Sequence, residues 1–142
     1  MVENKVNGTR LYLPPVVSVI DDEATIRNLV KRNIRMLNYR TREYSSAFQF
    51  YKSLEEGTAG VPEAIITDFN MPGMNADTMI TKIQESHPSF FKDVPIIGMT
   101  GDNSNIKLFN QVGVMDVLDK PFDSKELTDL LISLPTTLYF HS

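Results

Sequence analysis

From Pro15 onward, short runs of β-branched and other apolar residues alternate with longer stretches in which apolar residues recur every three or four positions. The short runs fit strands covered on both faces, and the longer stretches fit amphipathic helices with one buried stripe. Five such pairs follow one another, the pattern that builds a parallel sheet joined by helical crossovers. Val16 to Ile20, Ala64 to Thr67, Ile96 to Met99 and Val114 to Leu118 are predicted as interior strands. Tyr39 to Tyr44 carries alternating charges, which places it at an edge where one side meets solvent.

Spacing and caps locate the helices. Ile26, Val30, Ile34 and Leu37 share one face of a helix predicted from Glu23 to Leu37. Ser46 with Gln49, and Asp123 with Glu126, have capping-box spacing and set helix starts just before Ala47 and Ser124. Asn75 and Ser104 are read as caps of two more helices, which carry Met79, Ile80, Ile83 and Ile106, Phe109, Val112. Leu127, Leu130, Leu131 and Leu134 form the last stripe, and Pro135 stops it. Residues 1–14 and 136–142 fall outside the repeating pattern and are read as tails around one domain of residues 15–135.

Composition narrows the function. A chain of 142 residues predicts a single domain, with no room for a second catalytic or DNA-binding unit. The absence of cysteine removes a disulfide framework, a thiol nucleophile and Cys-ligated zinc or iron–sulfur centres. Fourteen Lys and Arg against 18 Asp and Glu give a net charge of −4, the wrong sign for a broad phosphate-binding surface, so nucleic acid is not an expected partner. No apolar run approaches the roughly 18 residues of a membrane helix, and residues 1–10 lack a signal-peptide core. A cytoplasmic protein without a membrane partner is expected.

In a doubly wound sheet the ligand site lies at the carboxyl ends of the strands, so the residues after each apolar run carry the functional argument. Asp21 and Asp22 follow the first run, Asp68 the third, Thr100 the fourth, and Lys120 with Pro121 the fifth. Each has an ordinary structural explanation alone: an N-cap, a turn residue, a solvated lysine. Four strand ends that deliver polar groups to one rim favour a shared site. Carboxylates crowded there repel, at about 4 kcal/mol for a unit pair about 4 Å apart at an effective dielectric near 20, and call for a cation. Oxygen donors without His or Cys suit Mg²⁺ or Mn²⁺. With that charge beside Asp68, Lys120 and the Thr100 hydroxyl would hold oxygens of an incoming phosphoryl group.

The segments VSVIDDEATIRNLV (17–30), IITDFNMPGM (65–74), PIIGMTGD (95–102) and VLDKPFD (117–123) resemble the receiver domains of two-component response regulators. The resemblance covers about Val16 to Leu134. It implies an α/β, flavodoxin-like, doubly wound five-stranded parallel sheet of order 2-1-3-4-5 with five helices. It implies that Asp68 is the phosphoacceptor and that Asp22, Asp68 and the backbone carbonyl of Asn70 ligate Mg²⁺, with Asp21 acting through a bound water. Lys120 would pair with the Asp68 carboxylate and then with the phosphoryl group, and Thr100 would swing toward that group as the switch. Gly101 would leave access, and the Lys120–Pro121 bond would be cis. The implied donor is a histidine kinase or histidine phosphotransfer domain. Such a domain is a phosphoacceptor that catalyses its own phosphorylation and slow dephosphorylation, not a conventional enzyme. Asn70 and Asp102, two residues after the acceptor and hydroxyl positions, resemble those of fast-cycling chemotaxis-type receivers and imply a short phosphate lifetime.

The chain departs from the family at Val117, where receivers usually carry an aromatic residue that turns inward as the hydroxyl residue moves. A valine makes no such swing, which leaves a phosphorylation-independent binding module as the alternative reading. Asn75-Ala76 also stands where an acidic residue and Gly often follow the second Met, implying a modest loop change. A haloacid-dehalogenase-type phosphatase would need Asp-x-Asp, whereas Asp68-Phe69-Asn70 lacks the second acid. Phe48, Phe50, Tyr51, Phe90, Phe91 and the seven methionines are read as packing residues, and His87 and His141 as exposed. Leu138-Tyr139-Phe140 is an apolar cluster that either folds back or forms a contact patch.

Overall fold

The structure, a computed structural model, describes residues 2–6, 9–13 and 15–134, with side chains described for 15–89 and 92–134. In chain order the elements are β1 (Val2–Val6), β2 (Thr9–Leu13), β3 (Val16–Ile20), α1 (Ala24–Met36), β4 (Arg40–Tyr44), α2 (Ala47–Glu55) and β5 (Ala64–Asp68). There follow α3 (Ala76–Ser86), α4 (Pro88–Lys92), β6 (Ile96–Thr100), α5 (Ser104–Gln111), β7 (Asp116–Asp119) and α6 (Ser124–Ser133). Strands β4-β3-β5-β6-β7 form one parallel sheet, which is the expected 2-1-3-4-5 order. Five helices flank it, and the five-residue α4 is an added turn between α3 and β6.

Both faces of the sheet are covered, as the apolar strands require. Val17, Val19, Ile66, Ile97 and Met99 meet Val30 and Ile34 of α1 and Leu127 and Leu131 of α6. On the other face Ile20 and Ile65 meet Phe50 of α2, Met79, Ile80 and Ile83 of α3, and Phe109 of α5. Every residue of β5 is buried, whereas β4 at the edge is mostly exposed. Asn38 ends α1 in the left-handed region at φ 68°, and Tyr39 N–H reaches back to the Ile34 carbonyl at 3.3 Å, the cap that turns the chain into β4.

Some boundaries differ from expectation. The last strand starts at Asp116, because Val114 N–H is taken by the Phe109 carbonyl at 3.0 Å in the turn that closes α5 after Gly113, at φ 92°. Ser46 and Asp123 do cap, accepting from the N–H of Gln49 at 3.0 Å and Glu126 at 2.8 Å. Asn75 sits at the N-cap of α3, but its Oδ1 accepts from Met71 N–H at 3.2 Å. Ser104 is the first residue of α5, not its cap, because Asp102 Oδ1 accepts from its N–H at 2.9 Å. Phe48 is exposed, as are Met36 and Met115, so these three are not core. His87 is half-buried with Nδ1 2.8 Å from Ser86 Oγ.

Strands β1 and β2 pair antiparallel with each other and lie outside the main sheet. Pro135, the Leu138-Tyr139-Phe140 cluster and His141 lie outside the described residues, as do the side chains of Phe90 and Phe91.

Candidate functional site

The parallel register gathers the predicted polar groups at one rim. Asp68 and Thr100 are the last residues of β5 and β6, Asp21 and Asp22 directly follow β3, and Lys120 directly follows β7. Lys120 N–H donates to the Thr100 carbonyl at 2.8 Å, which extends the β6–β7 ladder by one bond and fixes where the lysine side chain starts. The Lys120–Pro121 bond is cis. A Cβ at Gly101 would meet nothing nearer than Lys120 Cβ at 4.0 Å, so that position leaves the rim open.

One carboxylate oxygen from each of Asp21, Asp22 and Asp68 lies within 4.8 Å of the others. Lys120 Nζ reaches Asp21 Oδ2 at 2.9 Å and Asp68 Oδ1 at 3.1 Å. Asp21 is fully buried, and its Oδ1 accepts from Glu23 N–H at 2.8 Å, so both of its oxygens are committed. Its backbone carbonyl accepts from Arg27 at 2.7 Å, and Arg27 and Lys31 both pair with Glu43 on β4, tying α1 and the edge strand to the rim. One ammonium against three carboxylates leaves an excess of negative charge, and an all-oxygen set of this kind fits a hard divalent cation.

Burial, and then the neighbouring Asp21 charge, push the Asp68 carboxyl up to about 6, with Lys120 opposing. Burial acts to lower the Lys120 ammonium, but the hydrogen bond it donates to Asp21 and the charge of Asp68 outweigh it and the net direction is upward. The Thr100 hydroxyl donates to the Asp102 carbonyl at 3.2 Å and accepts from Asp102 N–H at 3.1 Å and Asn105 Nδ2 at 2.9 Å. The Asp102 carboxylate accepts from Ser104 N–H and Oγ, which holds it below the usual range. Asn70 is exposed two residues beyond Asp68.

The structure thus brings Asp21, Asp22, Asp68 and Lys120 together and sets Thr100 beside them on β6. Two neighbours went unread in the sequence. Asn105 is buried against Thr100, and its position four before Phe109, on the same helix face, is the signal for it. Phe69, next to Asp68, meets Phe109 edge-on with ring centroids 5.1 Å apart. A Cβ at Gly98 would lie 2.7 Å from the Phe109 ring, so a residue without a side chain is required there.

The sheet order and the acidic pocket at its carboxyl rim are those that the resemblance to receiver domains of two-component systems implies. The sequence profile of the response regulator receiver domain matches residues 17–132, and the chain belongs to that family. It is 30% identical over 129 residues to hybrid signal transduction histidine kinase D of Dictyostelium discoideum, covering 89% of this chain but 8% of the kinase. It is 28% identical over 116 residues to chemotaxis protein CheY1 of Helicobacter pylori, covering 80% of this chain and 90% of that protein. The fold is similar to that of chemotaxis response regulator CheY4 of Vibrio cholerae, with TM-score 0.71, 25% identity, and 84% and 97% of the two chains covered. A putative response regulator from Chloroflexus aurantiacus gives TM-score 0.72 at 27% identity, with 83% and 94% covered. Among the described residues no helix is long and apolar enough to cross a membrane.

Proposed function

We propose that Asp68 accepts a phosphoryl group from a phosphohistidine of a histidine kinase or histidine phosphotransfer domain, and that the receiver, residues 15–135, signals through the resulting change in its surface. The observation that carries this reading is the reach of one lysine, Lys120, to both buried Asp21 and Asp68 at a rim that still holds excess negative charge. Asp22, Asp68 and the Asn70 backbone carbonyl would hold Mg²⁺ or Mn²⁺, with Asp21 acting through a water because its own oxygens are committed. When bound, that cation stabilises the negative charge spread over the transferring phosphoryl group.

An Asp68 carboxylate oxygen attacks phosphorus as the donor's P–N bond breaks, leaving a neutral imidazole and an acyl phosphate on Asp68. Burial leaves that oxygen poorly solvated and more basic than an ordinary aspartate, which favours attack once it is ionised. Lys120 follows the charge from carboxylate to phosphoryl oxygens and orients them. Thr100 then donates its hydroxyl to a phosphoryl oxygen. Water attack on phosphorus regenerates Asp68, and Asn70 and Asp102 beside the site support a short lifetime for the acyl phosphate. The same reading assigns the protein to the cytoplasm.

Intact-protein mass after incubation with Mg²⁺ and acetyl phosphate tests site, metal and chemistry together. One added phosphoryl group, lost in Asp68→Asn and with a chelator, is the expected result. No gain by folded protein supplied with Mg²⁺ would favour the phosphorylation-independent module that Val117 supports. Label that persists for many hours would overturn the short lifetime.

A further inference from the structure

We propose that Asn105 is a positioning residue that latches Thr100 in the unphosphorylated protein, and that release of this latch moves the first turn of α5. This rests on the phosphoacceptor reading above. A threonine hydroxyl has one proton to donate and two lone pairs to accept with. All three are used in this structure: the proton by the Asp102 carbonyl, the lone pairs by Asp102 N–H and Asn105 Nδ2. To bond a phosphoryl oxygen on Asp68, Thr100 must give up the Asp102 carbonyl, and rotation about its χ1 carries Oγ1 away from Asn105 as well.

The consequence falls on α5. Thr100 is 1% exposed and Asn105 5% exposed, so an abandoned Asn105 amide has no water beside it. The broken bonds all lead to one short segment, because Asn105 N–H donates to the Asp102 carbonyl at 3.0 Å and Ser104 is held by the Asp102 carboxylate. The stable response is a shift of residues 102–105 that brings the amide to solvent. A second contact reaches the same helix face one turn on, where Phe109 meets Phe69 and is seated on Gly98. Val117, half-buried and aliphatic, offers no ring to move, so α5 carries the readout in this chain.

The test compares wild type, Asn105→Ala, Thr100→Ala and the double variant, with Mg²⁺ and beryllofluoride as the phosphoryl mimic. Asn105→Leu, with the same branched side-chain skeleton and no polar atoms, stands in if the alanine variant does not fold. Affinity is read by calorimetry and the state of α5 by amide exchange over residues 102–112. Wild type is expected to bind, with faster exchange at residues 102–105 in the bound form. Asn105→Ala should bind about fivefold tighter, as loss of one competing hydrogen bond dictates, with exchange already fast before ligand is added. The gain should vanish in the Thr100→Ala background, a dependence that a merely structural role for Asn105 would not produce. Unchanged or weaker binding by folded Asn105→Ala, or an equal gain without the threonine hydroxyl, would overturn the latch while leaving the phosphoacceptor reading intact. Failure of wild type itself to bind would overturn both.

Discussion

The acidic rim at the ends of β3, β5 and β7 and the hydroxyl corner where β6 meets α5 lie side by side, but different forces hold them. At the rim one lysine spans two buried carboxylates with a third nearby, an arrangement that leaves negative charge unmatched. At the corner a single neutral oxygen has every hydrogen-bonding capacity filled by directional contacts of 2.9, 3.1 and 3.2 Å. The rim gains from an added cation, because Coulomb attraction extends over several ångströms and tolerates small shifts. The corner gains nothing from an added group unless it first drops a partner. Chemistry therefore belongs to the rim, and the conversion of chemistry into motion belongs to the corner.

The largest effect is expected from Lys120→Met. Removal of the ammonium leaves Asp21 and Asp68 buried without a counter-charge, and loss of one partner of a buried pair costs about 3 kcal/mol. Urea unfolding without Mg²⁺ at pH 8 should register that loss. The loss should shrink at pH 5, where Asp68 is largely protonated in the folded protein. A loss below about 1 kcal/mol at pH 8 would show that water screens the rim as it does a surface pair. At the corner the matching break is Gly98→Ala, whose Cβ would press 2.7 Å from the Phe109 ring. Overpacking of this kind costs about 2 kcal/mol, and faster amide exchange should be confined to α5 and its neighbours.

Asp68→Asn reverses the sign. The folded-state carboxyl titrates at about 6 against a reference of 3.8, so its ionisation opposes folding. That penalty is fully present above about pH 6 and vanishes below the reference value. The asparagine variant should therefore be more stable than wild type at pH 8, by about 1 to 2 kcal/mol after allowance for solvent at the open rim, and equal to it near pH 3.5. Thermal unfolding of both proteins across that range, without Mg²⁺, is the measurement. A variant less stable than wild type at pH 8 would mean that Lys120 needs Asp68 more than Asp21 and Asp68 repel.

The two regions also differ in how far the sequence discloses them. The rim is legible because its residues immediately follow apolar runs, and parallel strands carry those positions to one end of the sheet. The edge strand and the Ser46 and Asp123 caps are legible from local pattern, whereas the sheet order is implied only by the resemblance to receiver domains. At the corner Thr100 is legible as the rim residues are, but Asn105 is not: an asparagine near a helix start is ordinarily a cap, and the start of α5 at Ser104 turns Asn105 inward onto Thr100. Val114 reads as strand because it is β-branched, yet the turn after α5 claims its N–H first. For β1 and β2, which fall in the stretch expected to be a tail, the sequence signal is Asn7-Gly8, a dipeptide that favours tight hairpin turns, but the runs on either side, VENKV and TRLYL, interleave polar residues and carry a weak strand pattern.

Ser18 sharpens the comparison from outside both regions. It lies in the middle of β3, opposite Arg42 of β4 and Ile65 of β5, and is fully buried. Its hydroxyl oxygen is the one buried side-chain polar atom among the described residues without a hydrogen-bond partner. Thr100, buried almost as deeply, has three partners, so depth alone does not justify a hydroxyl in this sheet. Where no partner is lost, Ser18→Ala removes a desolvation penalty and leaves a residue of nearly the same size. A gain of about 1 kcal/mol in urea unfolding is expected, with phosphorylation by acetyl phosphate unchanged. A loss of stability would reveal a partner for Ser18, and a changed rate of phosphorylation would extend the site from Asp21 back to Ser18 in β3.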